Sequence, residues 1–138
     1  MKYILSLFLT VSLALSGYAK SNKTGDNIDV NHYEIHLKEF NFDNKSIVAT
    51  TKVNLTTLNS IDKIELELRA LSVTSVTSDD TDVKDFSQKN DTLTINFTST
   101  LPADSKISLT IDYNGKTYNE NWGGIHWSSD YVYNLGVG

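Results

Sequence analysis

Three histidines carry the first candidate chemistry. His32 and His36 stand four residues apart, with Glu34 between them. On a helix that spacing puts two imidazoles on one face, where they can share a zinc ion. The neighbouring residues do not follow a helix. Tyr33, Ile35 and Leu37 alternate with His32, Glu34, His36 and Lys38, which is the period of a half-buried strand. Four residues of strand span about 13 Å, too far for two ligands of one ion. The glutamate of His32-Tyr33-Glu34-Ile35-His36 is also third, whereas the zinc protease motif needs it second. Both histidines are expected on the solvent face of a strand. His126, between Ile125 and Trp127, has no second ligand near it in sequence.

The remaining chemistry-bearing residues form no set either. Asp79, Asp80, Asp82 and Asp85 make an acidic cluster. A calcium loop of the EF-hand kind needs a central Gly and a terminal bidentate Glu, and the cluster has neither, so a solvated turn is expected. No Gly-x-Ser-x-Gly elbow and no phosphate-binding glycine loop occurs. There is no Cys, which excludes disulfides, thiolate metal sites, a Cys nucleophile and a lipobox. The chain is expected to hold no catalytic, metal or cofactor-binding residue of its own.

The C-terminal stretch differs in character. Tyr118, Trp122, Trp127, Tyr131 and Tyr133 gather around Gly123-Gly124. Trp122, Trp127, Tyr131 and Tyr133 fit two roles. They can form a stacking platform for sugar rings or an anchor for a protein partner. They can equally be the aromatics of an ordinary hairpin that packs on the rest of the domain or on a neighbouring one.

The elements that must position these residues are strands. Ile47, Ala49, Val53 and Leu55 point one way in a strand over 46–57, and Ile64, Leu66 and Leu68 alternate with Glu65, Glu67 and Arg69. Leu71, Val73 and Val76 make a strand in another phase. Weaker alternation covers 83–88, then Leu93, Ile95 and Phe97 follow, then Ile107, Leu109, Ile111 and Tyr113. The phase slip between Leu37 and Phe40 requires a β-bulge near Lys38-Glu39. Turns are expected at Asp43-Asn44-Lys45, Lys89-Asn90-Asp91 and Asn114-Gly115. No segment repeats apolar residues at three and four. The expected fold is all-β: an antiparallel sandwich of about seven to nine strands.

The length of 138 residues suits one domain, and the net charge is −5 with a single arginine, Arg69. Nucleic acid is excluded as a partner, because phosphate contacts need clustered Lys and Arg. At the N-terminus, Lys2 precedes an apolar run from Tyr3 to Leu15, and Gly17-Tyr18-Ala19 offers the small residues of a cleavage site. Residues 1–19 are expected to be a signal peptide, 20–28 a flexible leader and 29–138 the domain. The apolar run is short of the roughly 20 residues of a membrane span, so the mature form is expected to be exported, periplasmic or extracellular, with no stable span.

Taken in order, the segments resemble a known family. Asp29-Val30-Asn31-His32-Tyr33-Glu34-Ile35-His36-Leu37 is similar to the opening of the N-terminal β domain of M1 zinc aminopeptidases, the aminopeptidase N-like family. Ile64-Glu65-Leu66-Glu67-Leu68, Leu101-Pro102-Ala103 and Ile111-Asp112-Tyr113-Asn114-Gly115-Lys116 continue the likeness. Gly123-Gly124-Ile125-His126-Trp127 and Tyr133-Asn134-Leu135-Gly136-Val137-Gly138 resemble the exported bacterial branch. The resemblance implies a saddle-like sandwich that packs on a catalytic domain of the same polypeptide and helps wall its substrate cavity. Zinc and its His-Glu-x-x-His motif would lie in that catalytic domain, and peptide substrate would be met only indirectly. No residue of this sequence matches those motifs, so none is carried over. The apolar, glycine-rich end at 134–138 leads us to expect a domain truncated at its C-terminal end. The alternative is a free-standing exported binding module that uses the aromatic cluster for glycan or protein.

Overall fold

The structure, a computed structural model, describes residues 25–120 and 123–135. The expected signal peptide lies outside them, as does most of the leader. Ten strands follow one another among the described residues: β1 (Ile28–Asn41), β2 (Ser46–Thr57), β3 (Ile61–Glu67), β4 (Ser72–Ser78), β5 (Val83–Lys89), β6 (Thr92–Leu101), β7 (Lys106–Lys116), β8 (Asn119–Glu120), β9 (Gly123–Trp127) and β10 (Val132–Leu135). They form a four-stranded sheet in the order β1-β2-β7-β4, a three-stranded sheet β3-β6-β5, and a small sheet β10-β9-β8. All pairings are antiparallel. The all-β antiparallel expectation holds, and the count exceeds it because the C-terminal segment folds back as a third sheet.

Directly opposed residues of an antiparallel pair share a face. The register of β1 on β2 therefore shows which β1 side chains look inward. Tyr33 opposes Val53, Ile35 opposes Thr51, Leu37 opposes Ala49 and Phe40 opposes Ile47. All four β2 partners are buried. The register shifts between Leu37 and Glu39, which is the bulge that the apolar pattern requires, and shifts again between Val30 and His32. Each bulge inserts one residue and restores the inward phase. Ile28 and Val30, then Tyr33, Ile35 and Leu37, then Phe40 all line one face as a result. Ile28 is part of β1 and is buried in the core, so the leader expected through residue 28 ends sooner.

The core fills the space between the two larger sheets. Ala49, Val53, Leu55, Leu109 and Ile111 come from one side, and Ile64, Leu93, Ile95 and Phe97 from the other. One polar pair sits among them. The hydroxyls of Thr51 and Tyr113 lie 2.8 Å apart, so each buried oxygen has a partner.

Two turn expectations resolve differently. Asn90 and Asp91 both adopt positive φ (50° and 63°) between Lys89 and Thr92, which pair with each other. That is the two-residue hairpin loop in which both central residues are left-handed. Asn114-Gly115, the stronger turn signal, is no turn. β7 runs through it, with Val48 opposite Asn114 and Ile47 opposite Gly115. Gly115 has φ +140°, and a Cβ there would lie 3.5 Å from the Ala70 carbonyl oxygen and 3.6 Å from the Leu71 Cα. Those are ordinary contacts, so the glycine serves the positive φ that the strand adopts here rather than a close approach or a reversal.

On the outer face, the bulge residue Lys38 reaches across β2 to β7, where its Nζ donates to Asp112 Oδ1 at 3.1 Å. The Thr50 hydroxyl donates to the same oxygen. These bonds, Thr50's first and then Lys38's, hold the Asp112 carboxyl below the usual carboxylate range. A carboxylate depressed in the folded state stabilises above its unfolded pKa of about 4 and loses that contribution as pH falls through the folded value. The melting-temperature difference between the native chain and Asp112→Asn is expected to be constant above about pH 5 and to shrink toward pH 3, by a small amount because the groups are exposed. A difference that does not vary over that range would refute the linkage.

Candidate docking surface

A two-layer sandwich normally buries the inward residues of both sheets. Here β1 has 14 residues and β2 has 12, while β3 and β5 of the facing sheet have 7 each. The shorter sheet leaves the β1 side uncovered. Tyr33 is 53% exposed, Ile35 60% and Leu37 45%, although all three point to the core side. Phe40 and Phe42 continue the row, also exposed. Between this row and β3 lies a cleft of about 410 Å³. Tyr33, Ile35, Val53 and Ile111 line its floor side, and Leu66 and Leu68 the opposite wall. A contiguous apolar strip of this kind marks an interaction surface in a folded domain.

The C-terminal hairpin extends one end of the strip. Trp127 Nε1 donates to Thr117 Oγ1 at 2.7 Å. The indole lies edge-on to Phe40 and Phe42, with ring centroids 6.2 and 5.3 Å away. Val132 opposes Trp127, whereas Tyr133 opposes His126, so those two pairs occupy opposite faces of the hairpin. Tyr133 stacks on His126 at 5.1 Å, and Tyr131 lies 6.0 Å from Tyr133. The expected aromatic group is therefore divided. Trp127 joins the β1 row, Tyr131 and Tyr133 stand exposed on the other face, and Trp122 lies outside the described residues. Phe40 and Phe42 were not among the expected interface aromatics. Their phase after the bulge was the available signal.

The hairpin depends on one backbone position. Gly124 has φ +83°, and a Cβ there would meet the Tyr118 carbonyl oxygen at 2.3 Å and the Asn119 Cα at 2.9 Å. Neither atom can yield, being backbone. Gly124→Ala is expected to separate β8 from β9 and free Trp127. Amide exchange at 123–127 should accelerate at least tenfold, a loss on the order of 1.4 kcal/mol, while β2 and β7 stay protected. Unchanged exchange in β9 would refute this role.

The polar candidates have structural places. His36 Nε2 lies 2.9 Å from Glu34 Oε1, both on exposed side chains, and His32 opposes Asn54. Asp80 accepts from the Ser108 amide at 2.7 Å, and Asp85 accepts from Asn96 Nδ2 at 2.5 Å. Among the described residues no three His, Asp or Glu side chains converge, so the donor set here does not fit a zinc ion. Arg69, in the β3–β4 connection, lies over the Tyr118 ring just before β8, 3.7 Å from its centroid, and its Nη1 is 4.0 Å from Glu120 Oε2 of β8.

Residues 29–136 match the family model described as the Peptidase M1 N-terminal domain. No curated protein matches the chain. Among solved structures, a mutant M1 zinc metallopeptidase from Deinococcus radiodurans bound to a Tyr-Ser-Ala substrate is similar, with 17% identity and a TM-score of 0.60. That match covers 70% of this chain and 22% of the other. A two-domain M1 zinc metallopeptidase mutant bound to L-tryptophan gives 16% identity and a TM-score of 0.69, covering 81% and 27%. The M1 zinc metallopeptidase from Deinococcus radiodurans gives 16% and 0.60, covering 75% and 27%. The chain thus spans about a quarter of the length of these proteins, and at such identities the likeness is one of fold.

Proposed function

The chain belongs to the Peptidase M1 N-terminal domain family, and from that premise we propose that it is the non-catalytic structural domain of an exported M1-like zinc aminopeptidase. Its task is to pack against the catalytic domain of the same polypeptide and help wall the substrate cavity. The observation that carries this reading is the β1 row of Tyr33, Ile35 and Leu37, oriented as core yet left uncovered. A catalytic domain seated there would complete the burial. Zinc in that domain would activate water for peptide hydrolysis. The residues of this chain would shape and support, and would touch neither metal nor reacting atoms. The coding DNA downstream of Gly138 tests the reading. It should encode a His-Glu-x-x-His segment in frame, and a genuine stop codon with no such segment beyond it would overturn the proposal.

Export is part of the same proposal and rests on Lys2, the run Tyr3–Leu15 and Gly17-Tyr18-Ala19. N-terminal sequencing of the chain from the secreted or periplasmic fraction should begin at Lys20. Recovery of an intact Met1 in the cytoplasm alone would refute it.

A second reading, a free-standing glycan or protein binding module, is favoured by the exposed stack of His126, Tyr133 and Tyr131. Trp127 is committed to Phe40 and Phe42 and would contribute little to such a platform. Oligosaccharide titrations followed by tyrosine fluorescence should show saturable change on this reading, and none across a broad panel if it is wrong.

A further inference from the structure

We propose that the chain pairs with a second copy of itself along the free edge of β1, antiparallel, with the twofold axis at Ile35. β1 ends its sheet, so one edge of its backbone has no strand beside it among the described residues. Edge strands offer a row of donors and acceptors to any strand of matching pattern. The stretch Tyr33–Leu37 is the regular part of that edge, because the register breaks on either side of it, between Val30 and His32 and between Leu37 and Glu39.

The side chains of this stretch are self-complementary in a single register. With the axis at Ile35, Tyr33 faces Leu37 of the second copy, Ile35 faces Ile35, and Leu37 faces Tyr33. The apolar row then runs unbroken across the pair. On the opposite face Glu34 meets His36 of the second copy, and His36 meets its Glu34. Both side chains are more than half exposed, and the pairing would exchange their 2.9 Å contact within one chain for two contacts between copies. Other registers lose this match. An axis at Glu34 sets two carboxylates against each other. An axis at His36 sets two imidazoles together and drives Tyr33 against the bulge. An axis at Tyr33 sets Ile35 against Asn31. A one-residue slip places apolar residues opposite polar ones throughout. An isologous pair joined this way would make one eight-stranded sheet from two four-stranded ones. The bulges and the charges near them limit the contact to five residues, so association is expected to be reversible and concentration-dependent.

The inference is separate from the docking reading. It uses the backbone edge of β1, whereas the catalytic domain is assigned to the side-chain face, and either can fail alone. Sedimentation of the purified chain over a concentration series is expected to show a monomer–dimer equilibrium. A monomer up to about 1 mM would overturn the proposal, since a paired edge of five residues is expected to contribute more than the roughly 4 kcal/mol that this concentration corresponds to. Ile35→Lys, at an exposed position, should abolish the dimer with the circular dichroism spectrum unchanged. A dimer that persists in this variant runs through another surface and also overturns it. The decisive arm is a mixture. Glu34→Lys and His36→Glu should each self-associate less than the native chain. Mixed together, they should form a heterodimer about tenfold tighter than either homodimer, because one cross-strand pair becomes a lysine against a glutamate while the other remains the native His36–Glu34 pair. A mixture no tighter than its components would refute the register.

Discussion

Leu109→Ala is expected to lower the stability of the domain by about 3 kcal/mol, the usual cost of emptying a close-packed leucine site. Leu109 is fully buried in the first half of β7, the second interior strand of the larger sheet. Val53 opposes it from β2 and Ser78 from β4. With strands on both sides and β6 residues above, the space has no means of collapse. Urea unfolding measures the effect as a lowered midpoint at unchanged slope. A loss under about 1 kcal/mol would mean that the two sheets are not closely packed at this point. Ile35→Ala supplies the contrast. It removes a similar side chain from the same face, yet Ile35 is largely exposed, and the isolated chain should lose under about 0.5 kcal/mol. If a catalytic domain covers that row, as proposed, the same substitution should cost about 2 kcal/mol or more in the full-length protein.

Thr57→Val is expected to cost about 2 kcal/mol through hydrogen bonds rather than packing. Thr57 ends β2 fully buried and holds the loop before β7 by four bonds. Its hydroxyl donates to the Pro102 carbonyl at 2.6 Å and accepts from the Ser105 amide at 2.9 Å. Its amide donates to the Ser105 carbonyl at 2.9 Å, and its carbonyl accepts from the Asp104 amide at 2.8 Å. Valine keeps the shape and the two backbone bonds. It leaves the part-buried Ser105 amide without its acceptor, and an orphan donor there carries much of the desolvation penalty. The Pro102 carbonyl suffers less, because Ser105 Oγ also donates to it. Thr57→Ser separates the causes, since it keeps the hydroxyl and loses only a methyl. If the valine and serine variants are equally destabilised, the hydrogen bonds are not what Thr57 contributes.

Strand alternation made much of this fold legible. Ile47, Ala49, Val53 and Leu55 point inward as their spacing predicts, as do Ile107, Leu109, Ile111 and Tyr113. The slip between Leu37 and Phe40 located a bulge. Local pattern states which face a residue takes, though not what covers that face. The exposure of Tyr33, Ile35 and Leu37 was invisible for that reason, since it depends on the extent of a sheet formed by residues 61–101. Trp127 illustrates the same limit. Its neighbours Phe40 and Phe42 lie far away in sequence, and only the folded hairpin brings them together. Asn114-Gly115 failed in the other direction. The dipeptide favours a turn, but β2 and β4 flank it with paired backbone, and Gly115 keeps its positive φ within the strand.

The two bulges of β1 turn the strand into a parity code. Apolar residues sit at even positions through Val30, at odd positions from Tyr33 to Leu37, and at even positions again at Phe40 and Phe42. Two inserted residues cancel, so the two ends of the strand agree while its middle stands in the opposite phase. A single deletion between the bulges would turn one end of the apolar row toward water. Length changes in β1 can therefore accumulate only in pairs or at the bulges themselves. Lys38 is held by Asp112 across the sheet, so the bulge that sets the second change of phase is also fastened in place.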